Sequence, residues 1–584
     1  MGLSAIPAIF RSEKSSLASL WLIGGLAIWW LCLVHLPWNY NGGWGTDLPF
    51  NLLACAFVCV VIAVCWVFLP ARGIPLSSIG GLFLAGAILM TLPLLWSPSA
   101  LARAITFPRV AGMWGGVLFY LTLRQCRISG RNTLLLASFL AMAGGIQATY
   151  TIVELFAPRS WLPEISQLLL DKYGRIGAGI FGQANVTSSF IAMALGAMLF
   201  LLGLRSAALI SSKAEWIRRG ALAAGIILSC VSLVLLKSRT GWLGGITVIG
   251  GIFILLRLSH FRFAGCHQRA LLILPLIGIL IGTWLMNVSP IETLREHAGS
   301  NHQRLLTLYH TLMMMKEHPL VGFGAGTYEA VYQDYVASLP GGNPGLEMMN
   351  HPHNEVLYQY AEGGIPALTG ILIWGLAWLL LWRRARNVRQ LGMLLCTLPV
   401  LLHSQFEFPF YYSVSHGMAV LQFVALAEQP EKLRQRSTEK STERVGRGIV
   451  ANVMLKLLIV FTMVYGAIVA WQSLRAAQVM DKFEASTLSD PESITQLDVP
   501  WVVQPRFQHD LSLLRLIRFR TVPDTDSLRQ FTVENAKWLS VYADDDMYRN
   551  QISVLNYLQD SQQAALWREK AEKMFPWKWQ SFEQ

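Results

Sequence analysis

An imidazole and two guanidinium groups stand where ordinary packing does not require them. His353 lies in Asn350-His351-Pro352-His353-Asn354-Glu355. Pro352 suits a first helical turn and Gly363-Gly364 an end, so the spacing predicts a helix between them with His353 in its first turn. A helix N-terminus lowers the pKa of a nearby imidazole and favours the neutral form that can accept a proton; an anion close by would act the other way. Arg304 lies in Asn301-His302-Gln303-Arg304-Leu305-Leu306-Thr307-Leu308. It shares a face with Leu308 and Leu312 on an expected amphipathic helix ending before Pro319. Arg239 lies in Lys237-Ser238-Arg239-Thr240-Gly241, between two apolar runs too close to leave a loop. A guanidinium binds phosphate oxygens bidentately and stays charged, so an arginine at a membrane surface is a candidate for an anionic headgroup. Two of these residues have a plainer alternative: Arg239 as an interfacial anchor, His353 as a capping or packing residue.

A second set would orient rather than transfer. Arg175, Gln183 and Asn185 belong to a glycine-rich stretch, 174–185, that opens an apolar span. Amides there can bind sugar hydroxyls or only cap a helix. Asn354 follows His353. The run His403-Ser404-Gln405-Phe406-Glu407-Phe408-Pro409-Phe410-Tyr411-Tyr412 reads as another outward turn. Tyr411 and Tyr412 suit an aromatic belt, whereas Glu407 needs a partner. The glycines of 322–326 lack the Lys-Ser/Thr of a phosphate loop and read as a turn. No Cys/His spacing resembles a zinc site, so no metal ligand is expected.

These candidates must be positioned by membrane-spanning helices. Of 584 residues, 53% are hydrophobic and only 14% charged, where a soluble chain carries roughly 25% charged residues. The charge is excluded from long runs that approach the ~20 apolar residues a spanning helix needs. The runs are apolar on every side, unlike the alternating strands of a barrel. Spans are expected near 17–37, 50–70, 79–96, 109–123, 133–156, 184–204, 220–237, 240–256, 270–287, 364–382, 391–403, 414–428 and 450–471: an all-α polytopic membrane protein of about 13 transmembrane helices, within 12–14. The formal charge of +12 is concentrated in short loops between spans, which is the positive-inside pattern and not a nucleic-acid groove. Arg11 and Lys14 then place the N-terminus in the cytoplasm. The domain reading is 1–471 for the membrane domain, with a large outward loop at 287–363, and 472–584 for an outward helical tail. A hairpin near 535–575 resembles one tetratricopeptide unit, which cannot bury its own face and must pack on a neighbour. The segment 429–447 reads as a solvated linker. The eight cysteines lie in spans or basic loops, so no structural disulfide is expected.

Taken together, the motifs resemble the O-antigen ligase and polymerase superfamily of integral-membrane glycosyltransferases. Arg304-x-x-x-Leu308 is similar to its arginine motif, and His353-Asn354 followed by Gly364 to its histidine motif, with Ala367 where Gly, Thr or Tyr is usual. Ser238-Arg239 is similar to its Ser-Arg at the head of a span. Phe181-Gly182-Gln183-x-Asn185, a Tyr after the Glu-x-Pro turn and a soluble tail resemble the protein O-oligosaccharyltransferases, the pilin glycosylation branch, although Ala184 replaces that branch's proline. The resemblance implies a donor glycan on undecaprenyl diphosphate, no cofactor or metal, and transfer at the periplasmic face of the bacterial inner membrane. It implies that Arg239 and Arg304 hold the diphosphate and that His353 is essential. The acceptor would be a pilin or other periplasmic protein, with lipid A-core ligation or polymerisation as alternatives. A transporter or flippase of lipid-linked sugars is the rival of another class; it predicts mid-membrane charges and internal repeats.

Overall fold

The computed structural model describes residues 17–40, 45–70, 76–128, 130–174, 177–204, 211–258, 265–288, 297–428, 442–486, 488, 490–520 and 522–579. Arg11, Lys14, Arg175 and the greater part of the 429–447 linker fall outside these residues. Among the described residues every regular element is helical, and the chain is a polytopic all-α membrane protein.

Among the described residues ten helices are long and apolar enough to cross a membrane. The segments expected at 391–403 and 414–428 form the shorter apolar helices Val388–His403 and Val414–Ala427. The expected span at 109–123 lies within Ala100–Gln125, which also carries Arg103, Arg109 and Arg124. The centre of the bundle is α7 (Ala184–Gly203), whose residues are all buried except Asn185. Its small residues, among them Ala192, Ala194, Gly196 and Ala197, let neighbouring helices approach closely, which suits the core of a membrane bundle. Around it pack α5 (Gly130–Phe156), α8 (Ser212–Leu235), α9 (Arg239–Leu258) and α14 (Val388–His403). Asn185 opens α7, His403 closes α14, and Glu355 opens α13 (Glu355–Arg384), so these side chains share one end of the bundle. The basic residues Arg383 and Arg384 close α13 at the opposite end.

The helix predicted from Pro352 begins three residues later. Asn354 is the N-cap of α13, its Oδ1 accepting the Leu357 N–H at 3.0 Å. An asparagine caps far better than a proline-flanked histidine, and His353 has φ +56°, which no residue inside a right-handed helix can adopt. His353 therefore stands just outside the helix and not in its first turn. The expected end at Gly363-Gly364 is a break and not a terminus: Gly364 (φ +57°, ψ −150°) divides α13 into two helical pieces. A Cβ at Gly364 would lie 2.3 Å from the Leu320 carbonyl oxygen, and the Ile365 N–H donates to that same oxygen at 3.0 Å. Gly364→Ala is expected to cost at least about 1–3 kcal/mol in strain before the clash is counted. Thermal unfolding in detergent should show a lower midpoint; an unchanged midpoint would mean that the kink is not fixed by this contact.

The loop between α10 (Gly265–Val288) and α13 holds α11 (His297–Met314) and α12 (Tyr328–Ala337). The long helix α17 (Thr442–Ala485) packs on α2 (Pro49–Phe68) and continues beyond residue 471. Arg506, in α19 (Gln504–Phe519), pairs with Asp481 (2.6 Å) and Glu484 (2.7 Å) at the end of α17. Then come α20 (Thr525–Leu539), α21 (Asp545–Tyr557) and α22 (Ser561–Met574), which share a core of Leu528, Phe531, Tyr548, Ile552 and Phe575 with Ala337 of α12. The Asn343 side chain donates to the Met574 carbonyl (3.0 Å), and the Ala543 N–H to Glu329 Oε1 (2.9 Å). The tail helices thus cover their apolar face on the large loop. The seven cysteines whose side chains are described are unpaired.

Candidate active site

The site forms where the turn 403–413, the start of α7, α11 and the segment 351–355 meet. Glu407 is its hub, only 3% exposed. Its Oε1 accepts from Asn185 Nδ2 (2.6 Å) and Arg304 Nη2 (2.5 Å), and its Oε2 faces His403 Nε2 (3.1 Å). Nδ1 of His403 meets the Ser189 hydroxyl at 2.9 Å. The partner that Glu407 required is therefore Arg304, 103 residues away. Burial alone would raise the Glu407 pKa. The hydrogen bond and charge of His403, with the charges of Arg304 and His353, hold it at about 2 instead, so Glu407 is an anion that keeps one edge of the Arg304 guanidinium in place.

His353 is half-buried beside this group, its ring 5.5 Å from Phe408. Its Nδ1 is enclosed and has no hydrogen-bond partner among the described residues. Burial, then the neighbouring His351 and the charge of Arg304, push its pKa down to about 4 against the pull of Glu407. The neutral imidazole expected from a helix N-terminus is thus produced mainly by desolvation. Asn354 ties the segment to the 403–413 turn, Nδ2 donating to the Gln405 carbonyl at 3.3 Å, and the Glu355 N–H donates to the Ser404 carbonyl at 3.0 Å.

Tyr411 and Tyr412 separate. The Tyr411 hydroxyl donates to Glu355 Oε1 at 2.9 Å. Burial and then the Glu355 charge raise its pKa well above the ordinary value, so it remains a donor. Tyr412 stacks on Phe408 at 5.5 Å and 16°. Gln183 is the N-cap residue of α7, yet makes no side-chain cap, and its enclosed Oε1 is unbonded among the described residues. Arg239 is exposed in the first turn of α9. Ser238 accepts the Gly241 N–H at 3.1 Å, and its hydroxyl lies 2.8 Å from that of Ser188, one turn along α7 from Asn185. The head of α9 is thereby held against the helix that carries Asn185. Arg304, His353, Glu407, Asn185 and Asn354 form one cluster; Arg239 follows Ser238, the residue that ties the head of α9 to α7.

Sequence reasoning missed three participants. His403 could have been found from its i,i+4 spacing to Glu407 at a helix end. Arg109 pairs with Glu362 and donates to the Tyr358 hydroxyl, and its guanidinium lies 5.9 Å from the Tyr411 ring centroid. Its sequence signal is a charge at the head of an expected span, 109–123. His351, 2% exposed, packs on Tyr358 (4.4 Å) and Phe408 (4.7 Å). The assembled groups can hold an anion on Arg304 and accept a proton on His353.

A family model described as O-antigen ligase matches residues 222–372, and one described as virulence factor membrane-bound polymerase, C-terminal, matches residues 391–584. The first contains Arg239, Arg304 and His353; the second contains Glu407 and Tyr411. No curated protein matches the chain.

Proposed function

The chain belongs to the O-antigen ligase and polymerase superfamily of membrane glycosyltransferases, and on that premise we propose that it moves a glycan from undecaprenyl diphosphate to an acceptor hydroxyl at the periplasmic face of the inner membrane. The observation that carries this reading is the pairing of an anion-binding guanidinium, Arg304, with a desolvated neutral imidazole, His353, at one end of a membrane bundle. The polyprenyl chain lies in the bilayer and its diphosphate meets Arg304 and Arg239. The acceptor oxygen attacks the anomeric carbon with inversion as its proton passes to His353. The bond from that carbon to the diphosphate oxygen breaks, and the lipid diphosphate leaves with the electron pair, its growing charge met by the two guanidinium groups without a metal. Gln183, Asn185, Asn354, Tyr411 and Tyr412 orient sugar or acceptor, and Arg175 stands near the same mouth in sequence. Glu407 holds Arg304.

The acceptor in this reading is a Ser or Thr of a pilin or other periplasmic protein, as the Gln183 motif and the tail suggest by resemblance. The family description of residues 391–584 favours a second reading, a polymerase whose acceptor is another lipid-linked repeat. Co-expression with a glycan-assembly pathway, in a host lacking its own ligase, separates them. Mass spectrometry of periplasmic proteins should find the glycan mass on Ser or Thr. Glycan found only as longer lipid-linked chains, or only on lipid A-core, would replace the protein acceptor. In the same assay Arg239→Lys should lose ~10-fold or more, because an ammonium cannot form the bidentate fork; full activity would return Arg239 to the role of an anchor.

A further inference from the structure

We propose that His351 is the positioning residue for His353, acting through the main chain; this rests on the reading of His353 as the proton acceptor. His353 is one of five non-glycine residues with positive φ among the described residues, at +56°, a conformation that persists only when its surroundings impose it. The imposing contact is local. Nδ1 of His351 accepts the His353 N–H at 2.9 Å. That bond requires Nδ1 to be unprotonated, so the ring proton of His351 sits on Nε2. The Nε2 atom faces Glu355 Oε2 across 3.7 Å, and both atoms lack a closer partner among the described residues.

Glu355 is itself held. Its Oε1 accepts from Tyr411 Oη (2.9 Å) and Gln359 Nε2 (2.8 Å). The His351 ring is clamped between Tyr358, Phe408 and Tyr411. Tyr411, Glu355 and His351 thus form a chain of oriented groups that ends at the backbone of His353, one residue before the cap of α13. Burial keeps His351 neutral, with Arg109 acting in the same direction and Glu355 and Glu362 against it. A protonated Nδ1 would meet the His353 N–H head on and release the left-handed turn. Besides orienting sugar or acceptor, Tyr411 then braces the base through Glu355.

The test compares substitutions that separate acceptor from bulk. Asparagine at position 351 offers a carbonyl oxygen that can accept the N–H two residues on, as in an Asx turn. Phenylalanine keeps the aromatic packing but offers no acceptor, and alanine offers neither. In purified protein with a lipid-linked donor, His351→Asn should keep kcat within ~3-fold of the parent. His351→Phe and His351→Ala should lower it ~10- to 100-fold with little change in the KM for donor, the scale of losing one buried hydrogen bond. If phenylalanine supports faster transfer than asparagine, packing is what matters and the proposal fails. A second readout does not depend on transfer. The rate at which diethyl pyrocarbonate modifies His353, read by mass spectrometry, should rise in His351→Phe or His351→Ala and stay near the parent value in His351→Asn. Equal rates in all four proteins would also overturn it. No transfer by the parent protein would instead sink the functional reading, and the modification rates would still decide the positioning claim.

Discussion

A His353→Ala variant is expected to insert and fold like the parent and to transfer no measurable glycan. The side chain is half-buried, and its Nδ1 holds no hydrogen bond among the described residues. Removing it therefore breaks no polar network and leaves only a modest gap beside Phe408. The loss should fall on chemistry, where a positioned general base contributes ~10²- to 10⁴-fold. The pH profile gives a second check. The base must be neutral, and in the free protein its pKa is about 4. Parent kcat/KM should thus be insensitive to this group at neutral pH and fall as the pH drops through about 4. A bound diphosphate favours the protonated form, so the acid limb of kcat should lie at higher pH than that of kcat/KM. Wild-type transfer by His353→Ala would remove the residue from the mechanism.

Arg304→Ala is expected to abolish transfer as well, but with a stability cost that His353→Ala lacks. Its side chain is 27% exposed, while that of Glu407 is 4% exposed. Truncating the arginine leaves a buried carboxylate held only by Asn185 and His403. Breaking a buried pair from one side costs about 3–5 kcal/mol. The double variant Arg304→Ala with Glu407→Gln separates the two effects. It removes the stranded charge and should recover much of the unfolding midpoint lost by the single variant, since contacting residues couple. It should still transfer nothing, because Arg239 alone is left to meet the diphosphate. Arg304→Lys should also be severely impaired, as a point charge cannot satisfy phosphate and Glu407 together. A double variant that regained transfer would show that Arg304 serves only to neutralise Glu407.

These expectations mix what local sequence reveals with what it hides. His353 and Arg304 stood out because a base and a fixed cation are conspicuous beside long apolar runs. Helix ends were harder. Pro352 carries a general preference for a first turn, whereas Asn354 and the left-handed His353 decided the actual start. Glycine commonly terminates helices, but Gly364 is the point where the Leu320 carbonyl approaches too closely for any side chain. Asn185 and Gln183 were placed at the mouth of α7 from the apolar run that follows them, yet only Asn185 found a partner among the described side chains.

By itself the amino-acid order determined the properties that depend on a residue and its near neighbours: which runs are apolar enough to span, which segment is long and polar enough to reach out, and which side chains can carry charge or a proton. Burial follows from those patterns because water and hydrocarbon act on every residue alike. Tertiary structure alone decided the pairings: Glu407 with Arg304 and Asn185, Arg109 with Glu362, Tyr411 with Glu355. Partners separated by 56 to 253 residues leave no spacing to read, since any carboxylate satisfies a guanidinium equally well until packing brings one of them within reach. The pKa of His353 is of the same kind: it belongs to the site, where burial and neighbouring charge set it, and not to the residue.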